Sequence, residues 1–299
     1  MDGILVERFN PIHWDWLVYM AMFVAGTAAG AYLVAAMLEA FGRGRSSLAR
    51  TAHAVAFLVL ILTPVFLTLD LGRPERFWHM VIQSKTLMPM FKPWSPMSLG
   101  SMLLIVFSGL TFISFVDMLV GRGLFAIGPW RRDHTIHGSR LGLIWTLIGA
   151  VLAVAVGAYS GVLLSVTNIP GWANSVLIGA VYVATSIRTG VAALLLVQTL
   201  RGKEDTDLIA LHSAHVWLIV WWLVTMVAFI GTLGEASRFF LFGAPLIAMI
   251  AAVVLGGLVP LALHFMTHTR SAALASTLLI LAGGLLVRYA IVMGPQLVH

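Results

Sequence analysis

The protein has 299 residues, 60% of them hydrophobic and only 10% charged, against the roughly 25% charged expected of a soluble domain. That composition excludes a soluble globular enzyme and points to an all-α polytopic membrane protein. The net charge of +6 is scattered over connecting loops, which argues against a nucleic-acid partner. With no cysteine anywhere, the protein can hold no disulfide, thiolate-bound iron–sulfur cluster, thiolate metal site or covalently attached haem.

Apolar runs longer than about 18 residues read as membrane-crossing helices. Eight are predicted, near 14–38, 51–71, 97–120, 140–164, 174–199, 212–233, 243–266 and 272–293. They leave no room for a soluble domain, so 1–299 reads as one integral membrane domain, with possible four-helix bundles at 1–165 and 166–299. The N-terminus carries Asp2, Glu7 and Arg8 in place of a basic leader with a cleavage site, so the first run is expected to stay as a span. Odd-numbered loops carry ten Lys and Arg residues against six in the even loops and N-terminal tail. The positive-inside rule then places both termini outside.

The first polar residues at the mouth of span one are Asn10 and His13, one helical turn apart. A histidine and an asparagine at the lipid boundary can hydrogen-bond a quinone oxygen, and the imidazole can pass its proton near neutral pH. Trp14 and Trp16, which follow, read as interfacial anchors. Within span one, Gly26 and Gly30 permit close helix approach. Span two ends in Leu69-Asp70-Leu71-Gly72-Arg73-Pro74, where glycine supplies a left-handed cap and proline forbids continuation.

The loop 72–96 mixes Arg73, Arg76, Lys85 and Lys92 with Trp78, Phe91 and Trp94, a composition suited to docking an acidic partner or to packing on helix ends. Asp117 and Glu39 fall near inner helix ends and are expected to be solvated. Tyr159 lies at the outer end of span four, at the depth of His13, and a phenol is a good second donor to a quinone. Arg188 falls about 14 residues into span five, roughly 20 Å of helix rise and so near mid-membrane. It must have a partner there, with Asp70, Asp117 and Glu235 as candidates. Arg288, near the end of span eight, is expected to snorkel toward water. His53, His212, His215, His264 and His268 all collect at inner helix ends, which keeps open a pair of ligands for haem b.

Two strings carry a likeness to a known family: Leu69-Asp70-Leu71-Gly72-Arg73-Pro74-Glu75-Arg76-Phe77-Trp78-His79 and Lys92-Pro93-Trp94-Ser95-Pro96-Met97-Ser98-Leu99-Gly100. With the glycine-rich first span and Tyr159-Ser160-Gly161-Val162-Leu163-Leu164, they resemble the NrfD family, the membrane subunits of polysulfide reductase and related complexes. The resemblance runs over essentially the whole sequence. It implies a haem-free, quinone-reactive subunit of the bacterial or archaeal cytoplasmic (inner) membrane, with menaquinone or ubiquinone as substrate. Such subunits dock an iron–sulfur subunit that relays electrons to or from a catalytic subunit, often a molybdopterin enzyme. The resemblance also implies a quinone site built from Asn10, His13 and Tyr159, with His13 and Tyr159 as the reacting pair. Asp70, Arg188 and Glu235 are its candidate proton route. The competing expectations are a proton, ion or substrate pathway centred on Arg188 without redox chemistry, a haem b anchor, and a passive anchor for a redox partner.

Overall fold

In the computed structural model the described residues are 14–124, 135–202, 206–266 and 269–297, the side chains of 206–210 and 212 excepted. Eight helical spans cross in sequence: α1 Trp16–Ala40, α2 Ser47–Asp70, α3 Pro96–Gly121, α4 Arg140–Ser165, α5 Ile178–Arg201, α6 Thr206–Thr232, α7 Gly243–Met266 and α8 Arg270–Leu297. The starts of several are written in the sequence. Asp15, Ser46, Ser95 and Ser139 each accept a hydrogen bond from a first-turn amide and so cap α1, α2, α3 and α4. The predicted stop after α2 is also realised: Gly72 has φ +63° and Pro74 opens a short 3-10 turn, Pro74–Met80.

Helices α1 and α5 form the centre. Their most apolar stretches are 83% and 72% buried, against 28% in α2 and 33% in α4, whose apolar sides face outward to lipid. The two central helices cross in close contact because glycines meet there. A Cβ on Gly30 would sit 2.0 Å from the Ser186 carbonyl oxygen, and one on Gly190 would sit 2.3 Å from the Ala31 nitrogen. Around this pair, α1 to α4 share one apolar core with the far half of α5. The near half of α5, α6, α7 and α8 share a second core with Val18 and Met22 of α1.

Prolines inside spans leave carbonyls without their amide donors. Pro295 would orphan the carbonyl of Ile291, which accepts from the buried Trp172 indole at 2.7 Å. Pro260 does the same to Gly256, at a π-helical turn spanning Val254–Leu258. That carbonyl accepts from the Arg188 guanidinium. Helix α2 breaks at Ile61, three residues before Pro64, into Ser47–Leu60 and Leu62–Asp70.

Candidate functional site

The halves of α1 to α4 at the membrane face where residue 14 lies enclose an apolar pocket of about 650 Å³, its open side included. Its walls are Val18, Ala21, Met22 and Ala25 of α1, Leu67 and Asp70 of α2, Leu103 and Leu104 of α3, and Val156 and Leu163 of α4. Trp14, Thr63, Met97, Tyr159 and Ser160 complete it. Below the break in α2 only Thr63 of Leu62–Asp70 is buried, so this side of the pocket is thinly covered. An apolar slot with a few convergent polar groups is the ordinary form of a site for an organic ligand.

Tyr159 and Trp14 are held in place by their surroundings. Tyr159 lies flat against α3, where Gly100 leaves the space: a Cβ there would be 1.8 Å from the Tyr159 Cζ. In that pose the Tyr159 hydroxyl donates to the Pro96 carbonyl at 2.9 Å. The Pro96-to-Gly100 string thus serves two ends, starting α3 and seating the phenol.

Trp14 is clamped from α8. Its backbone N–H donates to Gln296 Oε1 at 2.8 Å, and Gln296 Nε2 donates back to its carbonyl at 3.2 Å. Its ring stacks on Trp172 with centroids 5.2 Å apart. Next to it, Asp15 caps α1 by accepting from the Leu17 amide, and Asp70 lines the pocket from the end of α2. Thr63 differs from most buried threonines of the spans, which bond back to a carbonyl of their own helix; its hydroxyl has no partner among the described residues.

Comparison with known proteins decides the family. The family model described as polysulphide reductase, NrfD, matches residues 5–299. The protein belongs to that family. It is 23% identical to a component of the polysulfide reductase of Wolinella succinogenes, over 97% of its own length and 96% of the relative's. It is 25% identical to protein NrfD of Escherichia coli, over 74% of its own length and 72% of the relative's. A 68-residue stretch is 34% identical to a component of the selenate reductase of Mesobacillus selenatarsenatis, covering 22% of this sequence and 16% of that one.

Of the residues singled out from the sequence, this NrfD-family protein brings Asp70 and Tyr159 to one pocket. Asn10 and His13 lie outside the described residues, although Trp14, the next residue after His13, is on the pocket wall. Arg188 is not in the pocket. It is buried in the second core, where its guanidinium donates to the Gly256 carbonyl and lies 4.1 Å from the centre of the Trp222 ring. The partners it is shown with are therefore a carbonyl and an aromatic face. Glu235 sits in the short turn Gly234–Phe239 after α6 and is exposed.

Three expectations are corrected. Arg288 does not snorkel: α8 runs on to Leu297, and Arg288 is buried, donating to the Met22 carbonyl and to Ser186 Oγ. Glu39 and Asp117 are not solvated, because the segment 135–139 folds over them and both carboxylates accept its backbone amides. What the sequence reading missed was the support of the site: Gly100, Gln296, Trp172 and Thr63. Only Gly100 left a signal, by standing in a motif beside a proline-started helix.

Proposed function

We propose that this protein is the quinone-reactive membrane subunit of a respiratory oxidoreductase complex. The observation that carries the reading is the apolar pocket at the mouth of α1 to α4, which joins Tyr159, Asp70 and the residue following His13. A quinone head is a flat, apolar ring with a hydrogen-bond acceptor at each end, and such a slot suits it. In this reading Asn10 and His13 hold one carbonyl oxygen and Tyr159 stands by the ring or the other oxygen. When quinol is oxidised, its two electrons leave toward a cluster in a partner subunit. Its two protons pass to His13 and to the Asp70 carboxyl on the pocket wall, then to water at the rim. Reduction of quinone runs the same transfers backward.

The partners this implies are a multi-cluster iron–sulfur subunit and a molybdopterin catalytic subunit that carries the terminal chemistry. The exposed Phe77, Trp78, Phe91 and Trp94 of the 72–96 segment, interleaved with Arg73, Arg76, Lys85 and Lys92, offer a basic, aromatic surface beside the pocket. Names of relatives favour reductase complexes, one a polysulfide reductase and another a selenate reductase. The proposed location is the cytoplasmic (inner) membrane, with both termini and the pocket on the outer side. Arg188, buried in the second core, and the exposed Glu235 stay in the proposal as proton-route residues, separate from the pocket.

The test is binding of a quinone analogue to the purified protein, with His13→Ala, Asn10→Ala and Tyr159→Phe compared. The reading requires wild-type binding and a loss of about tenfold or more in the His13 and Tyr159 variants at unchanged folding. Equal affinity in all four proteins would overturn the site.

A further inference from the structure

The end of the first core that lies away from the pocket holds a second group of titratable side chains. Glu39, at the end of α1, is 6% exposed; His53 of α2 is 1% exposed and His137, in the segment before α4, 5%. The two imidazoles stack with ring centroids 4.1 Å apart and 28° between planes. His137 Nδ1 stands 3.7 Å from Glu39 Oε2 and 3.3 Å from the Thr146 hydroxyl. Neither ring nitrogen of His53 has a hydrogen-bond partner among the described residues, and neither does His137 Nε2.

The cluster is held in shape from all sides. Gly44 leaves room for the Glu39 carboxylate, since a Cβ there would lie 1.6 Å from Oε2. Glu39 Oε1 accepts the Gly138 amide at 2.7 Å, and Arg45 Nε donates to the His137 carbonyl at 3.2 Å. Asp117 of α3 is committed to the amides of Ile136 and His137. From α1 the Tyr32 ring meets His53 edge-on. From α5, Arg201 donates to Thr51, two residues from His53, and Arg122 lies within electrostatic reach of both Arg201 and Arg50.

A buried imidazole with no partner at either nitrogen forgoes the hydrogen bonds that water would give it, and a proton-carrying form can recover part of them beside a carboxylate. Two imidazoles stacked this closely cannot both carry a positive charge, and the carboxylate beside them favours one charge over none. We propose that Glu39, His137 and His53 form an internal proton-binding site that holds one exchangeable proton. The proton sits on the imidazole pair as the counter-charge of Glu39, or on the carboxyl when the pair is neutral. Buried Ala28, Phe107 and Ala153 of the first core lie between this cluster and the pocket, whereas Phe41, Gly42 and Arg45 beside Glu39 are exposed. The site therefore exchanges with the membrane face opposite the pocket, and it stands whether or not the pocket binds quinone.

The test is a pH titration of the purified full-length protein in nanodiscs, followed by the infrared bands of imidazole rings and protonated carboxyl. In the wild type an imidazole band and a carboxyl band are expected to change together. In Glu39→Gln the carboxyl change disappears and the imidazole midpoint falls by a pH unit or more, about a tenfold loss of proton affinity. His53→Phe, which keeps the stacked volume, and His137→Phe each abolish the shared transition; His53→Asn and His137→Asn replace any variant that fails to fold. Imidazole and carboxyl bands that titrate independently, or an imidazole midpoint unmoved by Glu39→Gln, would overturn the proposal.

Discussion

Replacing Gly100 with alanine adds one methyl group, and its effect can be worked from the seat of Tyr159. The new Cβ would stand 1.8 Å from the Tyr159 Cζ, 2.1 Å from its Oη and 2.3 Å from its Cε1. Ordinary contact begins near 3.4 Å, so the ring must retreat by about 1.6 Å or turn out of the pocket. The 2.9 Å hydrogen bond to the Pro96 carbonyl cannot survive that movement, a loss of about 1 kcal/mol. The helix itself gains from the change, since alanine is favoured over glycine in a helix interior by roughly 0.5–1 kcal/mol. Net stability should therefore stay within about 1 kcal/mol of wild type, while the phenol is misplaced by more than an ångström. Misplacement of that size can cost about a hundredfold in a positioned reaction. The assay pairs quinol-linked turnover of the assembled complex with the melting temperature of the purified protein. A Gly100→Ala variant that melts normally and turns over within twofold of wild type would show that Tyr159 needs no seat, and with it that the phenol takes no part.

Gly30→Leu should drive α1 from α5, because even a Cβ there meets the Ser186 carbonyl at 2.0 Å; loss of folded protein in detergent is the expected result, and normal yield would refute the close crossing. Gln296→Ala removes both hydrogen bonds to the Trp14 backbone, about 1 kcal/mol each, and should lower the melting temperature and weaken quinone-analogue binding together. Arg188→Met removes the donor to the Gly256 carbonyl and should cost about 1.5–3 kcal/mol, read as melting temperature. Adding Pro260→Ala to that variant restores an amide four residues on and should recover about 1 kcal/mol, while an additive loss would argue against the orphaned carbonyl.

The spans were legible because membrane helices advertise themselves by length: the structural ends agree with the apolar runs to within about six residues, the start of α6 differing most. Tyr159 was legible as a rim residue because alternate crossing brings the end of α4 to the face where α1 begins; Asp70 was read as a partner for Arg188 and a proton-route residue, although the end of α2 comes to that same face and puts it on the pocket wall. The charged groups were harder. Glu39 and Asp117 stand near helix ends, where water is the default solvent, and nothing in their own spans announces that the 135–139 backbone will cover them. Arg288 misled through the predicted end of its span, which fell short of Leu297. Arg188 invited a search for a carboxylate, whereas its acceptor is a backbone carbonyl four residues before Pro260. That proline was visible all along, and counting back four from it would have named Gly256.

The π turn in α7 also sets the direction of a seam. A step of four residues along an α-helix overshoots a full turn by about 40°, so a row of contacts at that spacing drifts around the cylinder. Ala252, Gly256 and Pro260 are spaced in this way and all are buried, with Gly256 against Gly283 of α8 closely enough that an added Cβ would stand 2.8 Å from the Gly283 Cα. The wider turn at Val254–Leu258 takes up the overshoot, so the row runs straight along the axis. Removing a single residue from that turn would swing Val259–Met266 by about 100°, carrying Pro260 out of the seam and a different row of side chains into it.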